Sequence, residues 1–257
     1  NHNGQMLAVA SNYSAQLDDK LEELRKPSYW RMRKALTALP AARKEVEALA
    51  EHFSGRFAFD EEATERFFKE NVEGYSIIHL AMHGLLDPHH PIASSLVLTE
   101  VGDSTEDNFL HAYEITHLKL NADLVVLSAC ETGSGKYKEG EGIISITRSF
   151  MYAQVPALIV TLWNVQDRLT PIIMQSFYDN LSNRMSKARA LQLAKLDYIK
   201  KAEGLAAHPV FWSPFIQLGD STPIYLAKKG SSWPFLGLGI VLALGLGILI
   251  RYRQKRA

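Results

Sequence analysis

The chain is poor in cysteine: its 257 residues contain a single one, Cys130. One cysteine excludes a disulfide framework within the chain and any zinc site built on several cysteines. The sequence also lacks an excess of charge, because 28 Lys and Arg residues balance 28 Asp and Glu residues. Without a basic stripe the chain lacks the electrostatic signature of a nucleic-acid-binding protein, so we expect no nucleic-acid partner.

A leading apolar segment is absent as well, and the sequence opens with Asn1 rather than methionine. A secretory signal peptide would place an apolar stretch near the start of a chain. We therefore expect a fragment or a processed product, with any such signal in the upstream part.

One long uncharged run occurs, at residues 233–250 (WPFLGLGIVLALGLGILI). As a helix it would be roughly 27 Å long, close to the hydrocarbon thickness of a bilayer. Trp233 suits one membrane interface and the basic tail at 251–257 suits the other. The alternative, a buried core helix, is weakened by four glycines within the run. The pattern predicts a single transmembrane helix after a linker at 221–232, and the basic tail favours an extracytoplasmic position for the domain before it.

The chain is organised around the segment DLVVLSACETG, Asp123 to Gly133. Its short apolar block at 124–127 is rich in β-branched residues and predicts a strand buried on both faces. Cys130 follows, and then a polar loop that contains glycine. The carboxyl ends of parallel strands are where α/β folds bind ligands, so the thiol is a candidate nucleophile.

A second strand is predicted at Tyr75–Met82 (YSIIHLAM), and it leads directly into His83 and Gly84. If the two strands are neighbours, His83 and Cys130 emerge at one sheet edge. A histidine beside a thiol increases the fraction of reactive thiolate and can protonate a leaving amine. The backbone amides of Gly84 and Cys130 would stabilise the oxyanion of an acyl-transfer intermediate. The alternative is a structural core cysteine with an unrelated loop histidine.

Strands alternate with helices along the remaining sequence, which predicts an α/β fold with a mainly parallel sheet covered on both faces. We expect further strands at residues 6–10, 94–99, 157–163 and 209–218, and helices from Pro40 to before Gly55 and at 62–72, 110–118, 143–152, 170–181 and 186–201.

Four ordered motifs carry a resemblance: HLAMHG (residues 79–84), VVLSACETG (125–133), EGEGI (139–143) and LWNVQD (162–167). They are similar to the CHAT family, caspase-like domains that often occur behind tetratricopeptide repeats. The resemblance covers nearly all of residues 1–220. It implies a caspase-like three-layer sandwich and a His83–Cys130 catalytic dyad without a cofactor.

By this resemblance we expect a regulatory, membrane-anchored cysteine endopeptidase that cleaves protein substrates through an acyl-enzyme intermediate, with tetratricopeptide repeats upstream. Caspase-like folds also include inactive members, so the alternative is a catalytically silent signalling or interaction module.

Other candidate sites are weaker. His79 and His83 have the spacing of metal ligands on a helix, but along a strand four residues span roughly 13 Å, too far to bind one ion. We therefore expect His79 to be packed in the sheet and no metal to be bound. The loop after Cys130 lacks the glycine and the Ser or Thr of a phosphate-binding loop.

Asp167 is the candidate residue for substrate specificity. In separase-like relatives a carboxylate at this sheet edge would receive a basic residue before the scissile bond, and Glu131 and Asp123 are weaker candidates for the same pocket. The alternative for Asp167 is a helix N-cap.

Overall fold

The computed structural model describes residues 3–13, 36, 38–87, 90–101, 105–128, 141–163 and 165–230, with backbone only at 141–145 and Asp167. The chain divides into two units, Asn1–Ala227 and Lys228–Ala257, and the first contains every element below. No helix in the described residues combines the length and the apolar character needed to cross a bilayer. The transmembrane helix predicted at 233–250 lies outside them.

A six-stranded sheet forms the centre of the first unit. Its strands are β1 Met6–Ala10, β2 Gly55–Phe59, β3 Ile77–Ala81, β7 Leu124–Leu127, β8 Ala157–Thr161 and β9 Phe215–Gly219. They lie side by side in the order β2-β1-β3-β7-β8-β9. The first five strands are parallel, and β9 runs antiparallel to β8. The inner strands are largely apolar and fully buried, as expected for strands covered on both faces.

Helices cover both faces of this sheet, because alternate residues of each strand point to opposite sides. The helices are α1 Pro40–His52, α2 Glu65–Asn71, α3 Ala112–Ile115, α4 Glu141–Tyr152, α5 Thr170–Ser182 and α6 Lys187–Lys201. Met6, Ala8 and Ala10 of β1 pack in the core with α1, α5 and α6, whereas Leu7 and Val9 pack with α2, α3 and α4. The predicted α/β fold with a mainly parallel, doubly covered sheet is confirmed.

A second, three-stranded sheet adds to the α2 side of the molecule. It is antiparallel and consists of β4 Gly84–Leu85, β5 Ser95–Val97 and β6 Phe109–His111. The strand predicted at 94–99 is therefore present, but outside the central sheet. The helix predicted at 110–118 is reduced to α3, because residues 110 and 111 belong to β6.

Two further differences concern the sheet edges. The sequence did not predict β2, whose first two residues are exposed and which therefore shows no buried apolar run. The strand predicted at 209–218 begins only at Phe215, because Pro209–Phe211 forms a short 3-10 helix with proline in its first position. Both differences lie where burial is incomplete, and there the hydrophobic pattern is weak.

Candidate functional site

His83 lies just beyond β3, at the carboxyl edge of the central sheet. It is two residues after Ala81, the last residue of that strand, and is fully buried. The neighbouring strand β7 is in register with β3, with Leu80 opposite Leu127. The N–H of Ser128 extends the contact by donating to the Leu80 carbonyl at 3.1 Å. The carboxyl ends of β3 and β7 therefore lie side by side, which meets the condition under which His83 and Cys130 would share one sheet edge.

Tyr13, three residues beyond β1, contacts both the backbone and the ring of His83. Its hydroxyl accepts a hydrogen bond from the His83 N–H at 2.9 Å and donates one to the Val97 carbonyl at 2.8 Å. The ring centroids of Tyr13 and His83 are 4.6 Å apart, with a 49° angle between the planes. Sequence analysis did not identify Tyr13, because a lone tyrosine after a strand belongs to no motif.

Gly84 begins β4 and lies opposite Leu96 of β5. In an antiparallel ladder, hydrogen-bonded and non-hydrogen-bonded positions alternate. His83 and Val97 occupy a hydrogen-bonded position, since the Val97 N–H donates to the His83 carbonyl at 2.9 Å. The next position is not hydrogen-bonded, so the N–H of Gly84 points away from β5.

Cys130, the predicted nucleophile, and its backbone amide lie outside the described residues. The last described residue before it is Ser128, which is buried and whose hydroxyl has no hydrogen-bond partner among the described residues. The side chains of His83 and Ser128 thus mark the part of the predicted site that the structure describes.

Asp167 begins a short 3-10 helix, Asp167–Leu169, that leads into α5. Gln166 holds the N-cap position of the 3-10 helix and Leu169 that of α5, so Asp167 occupies the first helical position. Its carboxylate lies outside the described atoms, and its proposed contact with substrate stays a prediction. Asp123 immediately precedes β7, at the sheet edge opposite His83. It therefore cannot share the predicted pocket.

His79 is packed in the sheet, as predicted from its position within a strand. The side chain is fully buried, and Nδ1 lies at hydrogen-bond distance, 2.9 Å, from the Tyr178 hydroxyl. Nε2 lies 2.9 Å from Glu45 Oε1, although the two atoms are not aligned as a hydrogen bond. Burial raises the pKa of Tyr178 well above its ordinary value, and the nearby Glu45 carboxylate adds to this effect. These contacts tie α1 and α5 to the sheet.

A charged cluster on the α2 side was not predicted. Within the described part of the chain, Glu65, Glu106 and Glu114 bring three carboxylates within 4.8 Å of one another. The ammonium of Lys69 pairs with them at 2.7, 2.8 and 2.7 Å, respectively. Burial raises the pKa of Glu65 to about 7. Burial opposes the charge on Lys69, but the hydrogen bonds that its ammonium donates to three carboxylates raise its pKa nonetheless. Lys69 thus neutralises part of the negative charge of the three carboxylates.

Comparisons with solved structures give distant similarities. The crystal structure of the Arg-specific cysteine proteinase gingipain R is 9% identical, with a TM-score of 0.49, over 88% of this chain and 48% of that chain. The Saccharomyces cerevisiae separase–securin complex is 10% identical, with a TM-score of 0.43, over 84% of this chain and 12% of that chain.

Sequence comparisons give a family. Tetratricopeptide repeat protein 28 of Mus musculus is 26% identical over 115 residues, which are 45% of this chain and 5% of that protein. The Homo sapiens protein of the same name is 26% identical over 119 residues, again 5% of its length. The chain thus spans about a twentieth of these curated relatives. The family model of the CHAT domain matches residues 5–220, the part that contains the central sheet and His83, and the chain therefore belongs to the CHAT domain family.

Proposed function

We propose that the chain is a cysteine endopeptidase that acts on protein substrates, with Cys130 as nucleophile and His83 as general acid and base. The register of β3 and β7 supports this assignment. Leu80 and Leu127 are paired, and His83 and Cys130 each follow that pair by three residues in the sequence. Neighbouring strands are about 4.8 Å apart, so residues at equivalent positions beyond them can come within reach of each other.

The proposed reaction has two steps. The Cys130 thiolate attacks the carbonyl carbon of the scissile peptide bond, and the C–N bond breaks as His83 donates its proton to the leaving amine. Water then loses a proton to His83 and attacks the thioester carbon, which releases the carboxylic acid and restores the pair of Cys130 thiolate and protonated His83. No metal or cofactor takes part in this sequence.

The orientation of Gly84 also supports the proposal. Its N–H points away from β5 and is adjacent to His83 at the same sheet edge. An amide in this position can donate to the oxyanion that forms when a thiolate attacks a carbonyl. Glycine has no side chain to keep the substrate away. We assign the second donor to the backbone N–H of Cys130.

One observation favours a second candidate function, a catalytically silent signalling or interaction module. His83 is fully buried, whereas an acid or base in peptide hydrolysis must reach its substrate. A permanently closed site would bind partners without cleaving them. An active enzyme with this structure would have to open the edge around His83 when substrate binds.

A covalent labelling experiment tests the proposal. The 257-residue chain is treated with an arginine-containing peptide that carries a thiol-directed chloromethyl ketone, and intact mass is followed against time and pH. Cys130 is the single cysteine, so Cys130→Ser should abolish the mass shift if the label is on sulfur and not on a histidine. We expect rapid labelling with an apparent thiol pKa below that of a free cysteine, and a loss on the order of 100-fold in His83→Ala.

The matched control is His90→Ala, since the His90 side chain is 78% exposed. This variant should label as fast as the wild-type chain. Slow labelling that is equal in all three proteins and requires alkaline pH would refute the peptidase and support the silent module.

Two further proposals concern the context of the domain. Tetratricopeptide repeats give the two curated relatives their name, and we propose that such repeats accompany this domain and present its substrate. We also propose that residues 233–250 anchor the protein in a membrane as a single helix, because they contain no charge over the length of a bilayer.

A further inference from the structure

We propose that Tyr13 is a positioning residue of the catalytic site, holding His83 where it can act on Cys130. This inference rests on the peptidase function proposed above. Tyr13 does not touch the reacting atoms in the proposed mechanism. It acts through the backbone and the ring of His83, and both contacts are described in the structure.

The Tyr13 hydroxyl is inserted into the ladder between β4 and β5. On one side of the His83–Val97 position, the Val97 N–H donates directly to the His83 carbonyl at 2.9 Å. On the other side, the phenol oxygen accepts from the His83 N–H and donates to the Val97 carbonyl. One hydroxyl thus replaces one ladder hydrogen bond. The phenol pairs both backbone groups and fixes the backbone of His83, from which the imidazole projects.

The ring of Tyr13 provides the second contact. It lies 4.6 Å from the imidazole centroid and restricts the space into which the His83 side chain can turn. Tyr13 is itself held, since its ring packs against the small core of Leu85, Val97 and Phe109. A fixed tyrosine is therefore able to impose one orientation on its neighbour.

The adjacent residue makes a similar bond that does not involve His83. The Asn12 N–H donates to the Thr99 hydroxyl at 3.0 Å. Like the bond from the Tyr13 hydroxyl to the Val97 carbonyl, this bond joins the segment that follows β1 to the segment of β5. Thr99 is buried, as expected for a structural contact. This pair offers a matched comparison: both hydroxyls join the same two segments, but only that of Tyr13 contacts His83.

Tyr13→Phe tests the proposal, because it removes one oxygen and keeps the ring. We expect the labelling rate of Cys130 at pH 7 to fall by about 10- to 100-fold, since a displacement of about 1 Å at a reacting group can cost that much. The apparent pKa of the thiol should rise toward that of the His83→Ala variant. For a cleaved peptide substrate, kcat should fall while KM stays close to its wild-type value.

A double-mutant cycle separates positioning from loss of stability. If Tyr13 acts through His83, Tyr13→Phe should have no further effect on the labelling rate in a His83→Ala background. Thr99→Val, which loses the comparable hydroxyl contact, should leave the rate and its pH profile unchanged. Equal losses in Thr99→Val and Tyr13→Phe, or a full Tyr13→Phe effect without His83, would overturn the proposal.

A spectroscopic readout distinguishes failure of this inference from failure of the peptidase assignment. In a Cys130→Ser chain with ¹³C-labelled histidine, Tyr13→Phe should shift and broaden the His83 ring resonance while that of His117 stays in place. If the wild-type chain shows no His83-dependent labelling, the peptidase proposal fails, yet this comparison still tests whether Tyr13 orients His83. An unchanged His83 resonance would refute that orientation.

Discussion

At the scale of single residues, buried polar side chains show how this molecule compensates for removing charge from water. Buried Glu65 is one example, because half-buried Lys69 binds this carboxylate together with those of Glu106 and Glu114. Glu65, the most buried of the three carboxylates, is the one that loses most hydration. A shared cation cannot fully compensate three carboxylates, so a proton on Glu65 relieves the remaining repulsion.

Glu65 is therefore expected to make stability depend on pH. Its pKa is about 7 in the folded protein, against 4.5 for the exposed group, so the folded state binds more protons between these values. Stability contributed by this group is present below about pH 4.5 and is lost as pH rises through 7. Glu65→Gln, which stays neutral, should stabilise the protein at pH 8 by about 1–3 kcal/mol and change little at pH 5.

Denaturant unfolding of wild type and variant at the two pH values measures this difference. Glu70→Gln is the matched control, since Glu70 lies on the same helix but is exposed to solvent. Destabilisation of Glu65→Gln by an equal amount at both pH values would contradict the prediction.

Asp167 belongs to the same scale, and its predicted role is specificity. Asp167→Ala should abolish cleavage after arginine or lysine while leaving alkylation of Cys130 by a small, uncharged thiol reagent unchanged. Paired assays of peptide turnover and alkylation measure the two effects. Asp123→Asn, at the opposite edge of the sheet, is the control and should affect neither. Unchanged peptide turnover in Asp167→Ala would remove this residue from the site.

At the scale of elements, the antiparallel strand β9 closes one edge of an otherwise parallel sheet. It pairs with β8 from Phe215 to Gly219, and its last residue has a positive φ of 78°. A Cβ at Gly219 would lie 2.1 Å from the carbonyl oxygen of Pro156, so the chain turns there only because a side chain is absent.

Gly219→Ala is expected to destabilise the end of this strand. Gly204 is a suitable comparison: its φ is also positive, 55°, but nothing lies within 4 Å of a Cβ built there. Gly204→Ala should cost about 1–2 kcal/mol from backbone strain alone. Gly219→Ala should cost about 1–3 kcal/mol more because of the steric clash. Thermal and denaturant unfolding would measure both, and equal losses would show that the clash is relieved by movement.

At the scale of the whole molecule, the predicted anchor determines where the proposed peptidase works. The double substitution Leu242→Arg with Leu244→Arg places two charges in the middle of the run, each costing about 3 kcal/mol in a bilayer. The wild-type chain should remain in the membrane pellet after alkaline carbonate extraction, and this variant should not. Ser231→Arg with Ser232→Arg adds the same charge before the run and should leave the chain membrane-bound. Release of the wild-type chain would refute the anchor.

Orientation is tested on the same anchored protein. Arg251, Arg253, Lys255 and Arg256 follow the run and favour a cytoplasmic tail, which would place the catalytic domain on the other side. Protease added to intact cells should then digest the domain. Digestion only after lysis would refute this orientation.

Elements with a local signal can be identified from the sequence alone. Largely apolar runs identify β1, β3, β7 and β8, because strands buried on both faces need mostly apolar residues. Proline at the start of α1 and Ser186 before α6 mark helix ends, and the Ser186 hydroxyl accepts from the Arg189 N–H as a cap. The position of His83 after a buried strand, and the family motifs, also follow from sequence alone.

Contacts between distant segments become known only from the folded chain. Tyr13 and His83 are 70 residues apart, and no periodic pattern connects them. The placement of β5 in a second sheet, the edge strand β2 and the Lys69 cluster depend in the same way on pairing between remote segments. The physical reason is that hydrophobic periodicity reports how each residue faces the core, whereas hydrogen bonds and ion pairs across the fold depend on register and strand order.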